Sequence, residues 1–282
     1  MPSKRIMGTK ADSDPIETVE HYLGAVREIR DEWADEDKFW KLWFRGQACE
    51  SWDLKPKLYR RDDISLKKVL AEEEEFRHEF ERRGIQLIDA ERFPKTDFEW
   101  YFLMQHYGAP TRLLDWTDGA LMGLYFAVAH RFNKKDPDRK KDAAVWVLDP
   151  DWLNERTTTK KDDIEGVALP DWEVALKYLP EKFENKTLRR KYPLAIDPTH
   201  VARRLAVQRS RFTIHGTAFN GLEEITSRKK NSRLRKMLVC RNSVRSIRKD
   251  LETCGISVTT LFPDLAGLGL ELQRLWKSGS ET

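Results

Sequence analysis

Cysteine is scarce in this 282-residue chain. Cys49, Cys240 and Cys254 form an odd set without CxxC spacing, which argues against a disulfide framework and a cysteine-based zinc site. The histidines, at positions 21, 78, 106, 130, 200 and 215, are scattered and make no HExxH, so no metal is expected. Long apolar runs are also missing. The longest, near Ala120–Ala129, is about half of a membrane span. The opening MPSKRIMGTKADSDP lacks the apolar centre of a signal peptide, so a cytoplasmic protein without membrane contact is expected. There is no GxGxxG after a strand, no GxxxxGK[ST] and no GxSxG. A nucleotide would therefore be held by side chains and not by a glycine-rich backbone cradle.

Charge is abundant by contrast. Charged residues make up 35% and hydrophobic residues 40% of the chain, with a mean hydropathy of −0.68. The length allows a sizeable core and suits one large domain with short extensions. The 51 basic and 47 acidic residues leave a net charge of only +4, but residues 228–249 hold ten Lys or Arg and no acid. Arg228, Lys229, Lys230, Arg233, Arg235 and Lys236 are the candidate contacts of a phosphate-tracking surface; a solvated helical face is the other reading.

Residues 1–14 read as a disordered lead-in and 15–34 as an amphipathic helix with Pro15 in its first turn. Phe39–Gln47 is an aromatic strand, Leu66–Arg83 a helix stopped by Gly84, and Asp97–His106 a further helix. Asp118 is expected to cap a helix over Gly119–Phe132. Ala143–Leu148, Tyr192–Ile196, Val207–His215, Lys236–Cys240 and Ser257–Thr260 are strand-like, Ser243–Cys254 is a basic helix, and Phe262-Pro263-Asp264 opens a last helix through Trp276. Residues 155–190 read as an insertion. No repeat is visible, and the irregular order of strands and helices favours an α+β fold.

The densest polar cluster is 105–126, QHYGAPTRLLDWTDGALMGLYF. Arg45 ends an aromatic strand beside Gly46 and suits a phosphate, because its planar fork donates two parallel hydrogen bonds; a structural ion pair is the alternative. Thr111 and Arg112 add a hydroxyl and a second cation. Asp115 reads as a cap or as a catalytic carboxylate. Tyr107 and Trp116 read as stacking rings or as core. Gln208, at the lip of a strand, offers an amide to a ribose hydroxyl.

Together, Phe44-Arg45-Gly46-Gln47, Lys55-Pro56-Lys57-Leu58-Tyr59-Arg60, Gln105 through Thr117, Gln208 with Phe212, and Leu261-Phe262-Pro263-Asp264 resemble the FRG domain family over roughly residues 35–275, with the domain drawn at 35–276. The resemblance implies an ADP-ribosyltransferase-like fold with a split antiparallel sheet and packed helices, across which NAD lies. It implies a toxin or antiphage effector that transfers ADP-ribose from NAD; the basic 228–249 run points to nucleic acid as the acceptor, RNA ahead of DNA, and a toxin of this kind has an antitoxin protein as partner. Arg45, Thr111 with Tyr107, and Gln208 match in order the family roles of NAD-holding cation, middle hydroxyl or aromatic, and late-strand Glu or Gln. The departure is Gln208 where Glu is more usual, so Asp115 stands as the alternative acid. Arg45, Asp115 and Gln208 are thus the expected catalytic set, and Arg45, Gln47, Tyr107, Thr111, Arg112 and Trp116 the expected NAD contacts. Two other functions fit the same residues: a non-enzymatic nucleic-acid-binding module, and a hydrolase of NAD or RNA.

Overall fold

In a computed structural model, the structure describes residues 14–34, 42–61, 65–88, 93–129, 135–162, 164–183, 190–198 and 208–279. The expected lead-in over 1–14 lies almost wholly outside them.

Six strands, β1 (Trp43–Gln47), β2 (Leu113–Thr117), β3 (Ala143–Leu148), β4 (Leu194–Ile196), β5 (Ser210–Ile214) and β6 (Leu234–Val239), form one antiparallel sheet in the order β4-β5-β2-β1-β3-β6. With ten helices among the described residues, the class is α+β. The sheet divides in the middle. β1 pairs with β3, and β2 with β5, along their whole lengths, whereas β1 and β2 share only the position Phe44 opposite Thr117. Both outer strands are shielded: Ile16 bridges to Val239 of β6, and Ala168 to Ile196 of β4, which removes two exposed edges.

Side chains alternate across a strand, so the register assigns the faces. Phe44, Val145, Val147, Met237 and Val239 share one face of the β1-β3-β6 half and pack with helix α4 (Ala120–Ala129). On the same face of the other half, Leu113, Phe212, Ile214, Leu194 and Ile196 pack with helix α3 (Asp97–His106). Asp115, Thr117 and Ser210 lie between these two cores and keep them from merging. The opposite face carries one core across both halves, built on Trp43, Trp116 and Trp146. That face therefore carries a polar seam between its two cores.

The seam sits close to α4 because two glycines permit it. A Cβ on Gly46 would come within 2.2 Å of Ala127 N and 2.3 Å of Gly123 O, and one on Gly123 within 2.6 Å of Phe44 Cβ. Helices α3 and α4 are apolar nearly all round, as buried helices are. The amphipathic helices α1 (Val19–Trp33) and α2 (Leu66–Gly84) wrap the outside and are capped by Thr18 and Ser65. No helix among the described residues is long and apolar enough to cross a membrane.

Several expectations are corrected. Asp115, read as a cap or as a catalytic carboxylate, lies in the middle of strand β2 and is not a helix cap. Asp118 lies two residues before α4, and its carboxylate pairs with Arg209 and with Arg211 at 2.9 Å. Pro15 precedes α1 by several residues and lies outside its first turn. Ser257–Thr260 is no strand, because Ser257 and Thr260 form a reciprocal capping box that opens a short helix, Val258–Leu261. Within residues 155–190, Val174, Ala175, Tyr178 and Leu179 pack into the core around α3.

Candidate functional site

At the seam the backbones of β1 and β2 part, and Arg45 reaches across. Its Nη1 donates to Asp115 O at 2.6 Å and lies 3.7 Å from Asp115 Oδ2. Burial pulls the guanidinium pKa below its ordinary value, Asp115 opposes that shift, and nearby Arg60 reinforces it. Two cations facing one cleft leave a positive field that an anion relieves.

The seam opens as a cavity of about 280 Å³ lined by Arg45, Asp115, Thr117, Gln208 and Ser210, with Phe126 above. Gln208 is held there by two bonds, Thr117 Oγ1 to Gln208 O at 2.8 Å and Gln208 Nε2 to Leu261 O at 3.0 Å. The next residue, Arg209, has φ of 50°, a left-handed value uncommon outside glycine, and its ion pair with Asp118 anchors the kink just before β5. Arg45, Gly46 and Phe126 also line a second cleft of about 650 Å³, which continues past Gln47, Trp52, Lys55, Tyr59, Arg60 and Arg61. The two clefts meet at Arg45.

The three expected catalytic residues, Arg45, Asp115 and Gln208, are thus brought together. The expected NAD contacts divide. Gln47 borders the larger cleft, but its amide is occupied by Asp53 O and by the Trp146 indole N–H. Trp116 backs the seam with its ring in the tryptophan-rich core and its Nε1 donating to Thr213. Thr111 is fully buried and joined to Gln105, one layer behind Asp115.

Tyr107 is 68% exposed and faces away, into an apolar groove between α2 and α3. Arg112 is the clearest correction. It is completely buried, with Nε on Glu73 at 2.5 Å, Nη2 on Tyr178 O at 2.5 Å and Nη1 on His215 O at 3.2 Å. Burial, the largest influence, works against its charge, but Glu73 together with Tyr59 and Tyr101 outweighs it, so its pKa moves up. It is a structural cation with no path to the cleft.

Residues that sequence reasoning passed over complete the site. Thr117 supplies the hydroxyl at the seam, two residues after Asp115 on the same strand face. Gln105 touches the Asp115 carboxylate, and Arg60 faces Arg45. The alternation of β2 would have found Thr117 had the strand been recognised.

The basic run does not form one stripe. Arg228 pairs with Glu224, Arg233 with Asp149 at 2.7 Å, and Arg235 with Glu32 through two bonds. Lys236 donates to Glu50 O and lies over the Trp146 ring, and burial lowers its pKa. Lys229 lies over the Tyr192 ring, and Lys230 is exposed. Acids outside the run thus pair with three of its cations, Arg228, Arg233 and Arg235. Among the described residues no group of three or more His, Cys, Asp or Glu is arranged to hold a metal ion.

No curated protein and no solved structure matches the chain. Residues 40–136 do match a family model, that of the FRG domain. The match contains β1, β2 and the turn between α3 and β2, and therefore Arg45, Gln105, Asp115 and Thr117; Gln208 and the basic run lie beyond it. Over residues 40–136 the chain is therefore similar to the FRG domain.

Proposed function

We propose that the seam binds NAD and breaks its nicotinamide–ribose bond, passing ADP-ribose to an acceptor. The observation that carries this reading is the convergence of Arg45, Asp115, Thr117 and Gln208 on a small cavity that opens, at Arg45, into a larger cationic cleft. The combined space suits a dinucleotide better than a mononucleotide, given the usual 300–1,000 Å³ of ligand sites. Arg45 and Arg60 meet the diphosphate, while the Thr117 hydroxyl oxygen and the Gln208 amide oxygen accept from the hydroxyls of the nicotinamide ribose, their donors being engaged by Gln208 O and Leu261 O.

In the reaction the glycosidic electron pair leaves with neutral nicotinamide, and the anomeric carbon gains cation-like character. The acceptor then bonds to that carbon and gives its proton to Asp115, whose carboxylate also steadies the developing charge. Arg45 cannot serve as the base, because guanidinium keeps its proton in proteins. Asp115 takes that role because it is the carboxylate lining the seam, whereas Gln208, two residues before β5, carries an amide.

The acceptor in this proposal is nucleic acid, RNA ahead of DNA, and an activity of this kind calls for a protein inhibitor that closes the cleft. Incubating the pure protein with NAD labelled in the adenylate, with RNA, DNA or neither, and following nicotinamide release and label position together tests it. Release with label in nucleic acid is the expected result. Release with free ADP-ribose alone makes water the acceptor and the protein a hydrolase. Salt-sensitive nucleic-acid binding without any release overturns the enzymatic reading in favour of a binding module.

A further inference from the structure

The Asp115 carboxylate is braced from behind. Gln105 lies in the last turn of α3, after which the chain reverses: Gly108 adopts φ of 77°, and Ala109 N–H returns to Met104 O at 2.9 Å. The reversal brings Thr111 back beside Gln105. The buried Thr111 Oγ1 accepts the Leu113 N–H at 3.1 Å and lies 2.6 Å from Gln105 Oε1. Because that oxygen already accepts from Leu113, its own proton is directed to Gln105.

Each contact sets the polarity of the next. An amide with its oxygen engaged by a hydroxyl proton presents its NH2 on the other side. Gln105 Nε2 there donates to Asp115 Oδ2 at 2.6 Å. Oδ2 is thus taken by Gln105 on one side, with Arg45 at 3.7 Å on the other. Among the described residues nothing hydrogen-bonds Oδ1, and the side chain is 49% exposed at the cleft. A carboxylate on a rotatable bond has been given one working oxygen.

We propose that Gln105 is a positioning residue which, oriented by Thr111, locks Asp115 so that Oδ1 alone faces the acceptor's proton. Its consequence for turnover rests on the NAD-cleaving reading above; its effect on Asp115 rests on the hydrogen bonds alone. A merely structural glutamine at a helix end would affect stability and leave Asp115 as it was.

The test uses the full chain with 13C-labelled aspartate carboxyls, the Asp115 resonance being assigned with Asp115→Asn, in wild type, Gln105→Met, Thr111→Val and Thr111→Ser. Met keeps the length of Gln without its donor; Ser keeps the hydroxyl that Val removes. The Asp115 resonance is expected to move in Gln105→Met and Thr111→Val and to return in Thr111→Ser. In nicotinamide release, Gln105→Met is expected to lose roughly 10- to 100-fold in kcat, the size of one charge-assisted hydrogen bond, with KM for NAD within about 3-fold of wild type. Thermal unfolding checks that each variant is folded.

An Asp115 resonance unmoved in folded Gln105→Met overturns the proposal. So does a kcat equal to wild type, or Thr111→Ser behaving like Thr111→Val. If the resonances move as expected but wild type releases no nicotinamide, the NAD reading fails while the brace on Asp115 stands.

Discussion

Arg45 and Arg112 head two regions that differ in how completely their donors are engaged. Arg112 is sealed among Glu73, Tyr178 O and His215 O, groups from α2, from the 155–190 segment and from the end of β5. Arg45 has one backbone acceptor and one carboxylate at 3.7 Å, its Nε makes no hydrogen bond, and it faces an open seam. A saturated guanidinium holds a fold together; an unsaturated one at a cavity is available to a ligand. The sequence offered both as ligand cations, and only the surroundings separate them.

The separation breaks if stability and activity follow the wrong arginine. Arg112→Met leaves Glu73 charged and buried, so a loss of about 3–5 kcal/mol is expected in denaturant unfolding. Arg45→Met is expected to change stability by about 1 kcal/mol or less while nicotinamide release falls by roughly 100-fold or more, as when a preorganised charge is removed. If Arg112→Met unfolds like wild type, or Arg45→Met retains turnover, the assignment is reversed.

The seam's closeness to α4 gives a second contrast. Gly46→Ala forces a Cβ against the backbone of α4, and about 1–3 kcal/mol of destabilisation is expected. Gly24→Ala, within α1 and with nothing inside 4 Å, is expected to be neutral or to stabilise by up to about 1 kcal/mol. Melting curves of the two variants should move in opposite directions or, at the least, differ clearly.

The sealed region also has a pH signature. Burial, with Arg112 and Arg45 nearby, lowers the His215 pKa from 6.5 to about 3. In the unfolded chain the imidazole takes up a proton below about pH 6.5, whereas in the folded protein it stays neutral down to about pH 3. The unfolded state therefore binds more protons in that window, so stability falls as pH drops from about 6.5 towards 3 and is independent of this group above it. His215→Asn is expected to flatten the slope of unfolding free energy against pH there; an unchanged slope means that His215 does not contribute.

The smallest effect is expected in the basic run. Arg235→Ala removes an exposed pair with Glu32 and should cost less than about 1 kcal/mol. Combined with Lys230→Ala, it sharpens the question of an acceptor surface: if this run carries nucleic acid, the salt dependence of binding becomes shallower by about one unit for each phosphate that is no longer neutralised. An unchanged slope places any such surface elsewhere.

Much of the fold was legible. Asp97–His106 and Ala143–Leu148 lie where the pattern put them, because a capped aromatic run and a turn-bounded β-branched run each read unambiguously. β2 was not, since five residues with an aspartate in the middle and a helix close behind carry almost no period of their own. Of the site, Arg45, Asp115 and Gln208 could be named from residue type and setting. Thr117 depended on the missed strand, and Gln105 on a chain reversal that only the folded turn displays.

By itself the sequence determined some of the helices and strands, Asp97–His106 and Ala143–Leu148 among them, which side chains are apolar enough to form cores, and that chemistry gathers between Gln105 and Trp116. Tertiary structure alone decided which of the charges there remain usable. The physical reason is that a charge is spent or available according to the partners around it, and those of Arg112, Arg233 and Arg235, namely Glu73, Asp149 and Glu32, come from distant parts of the chain.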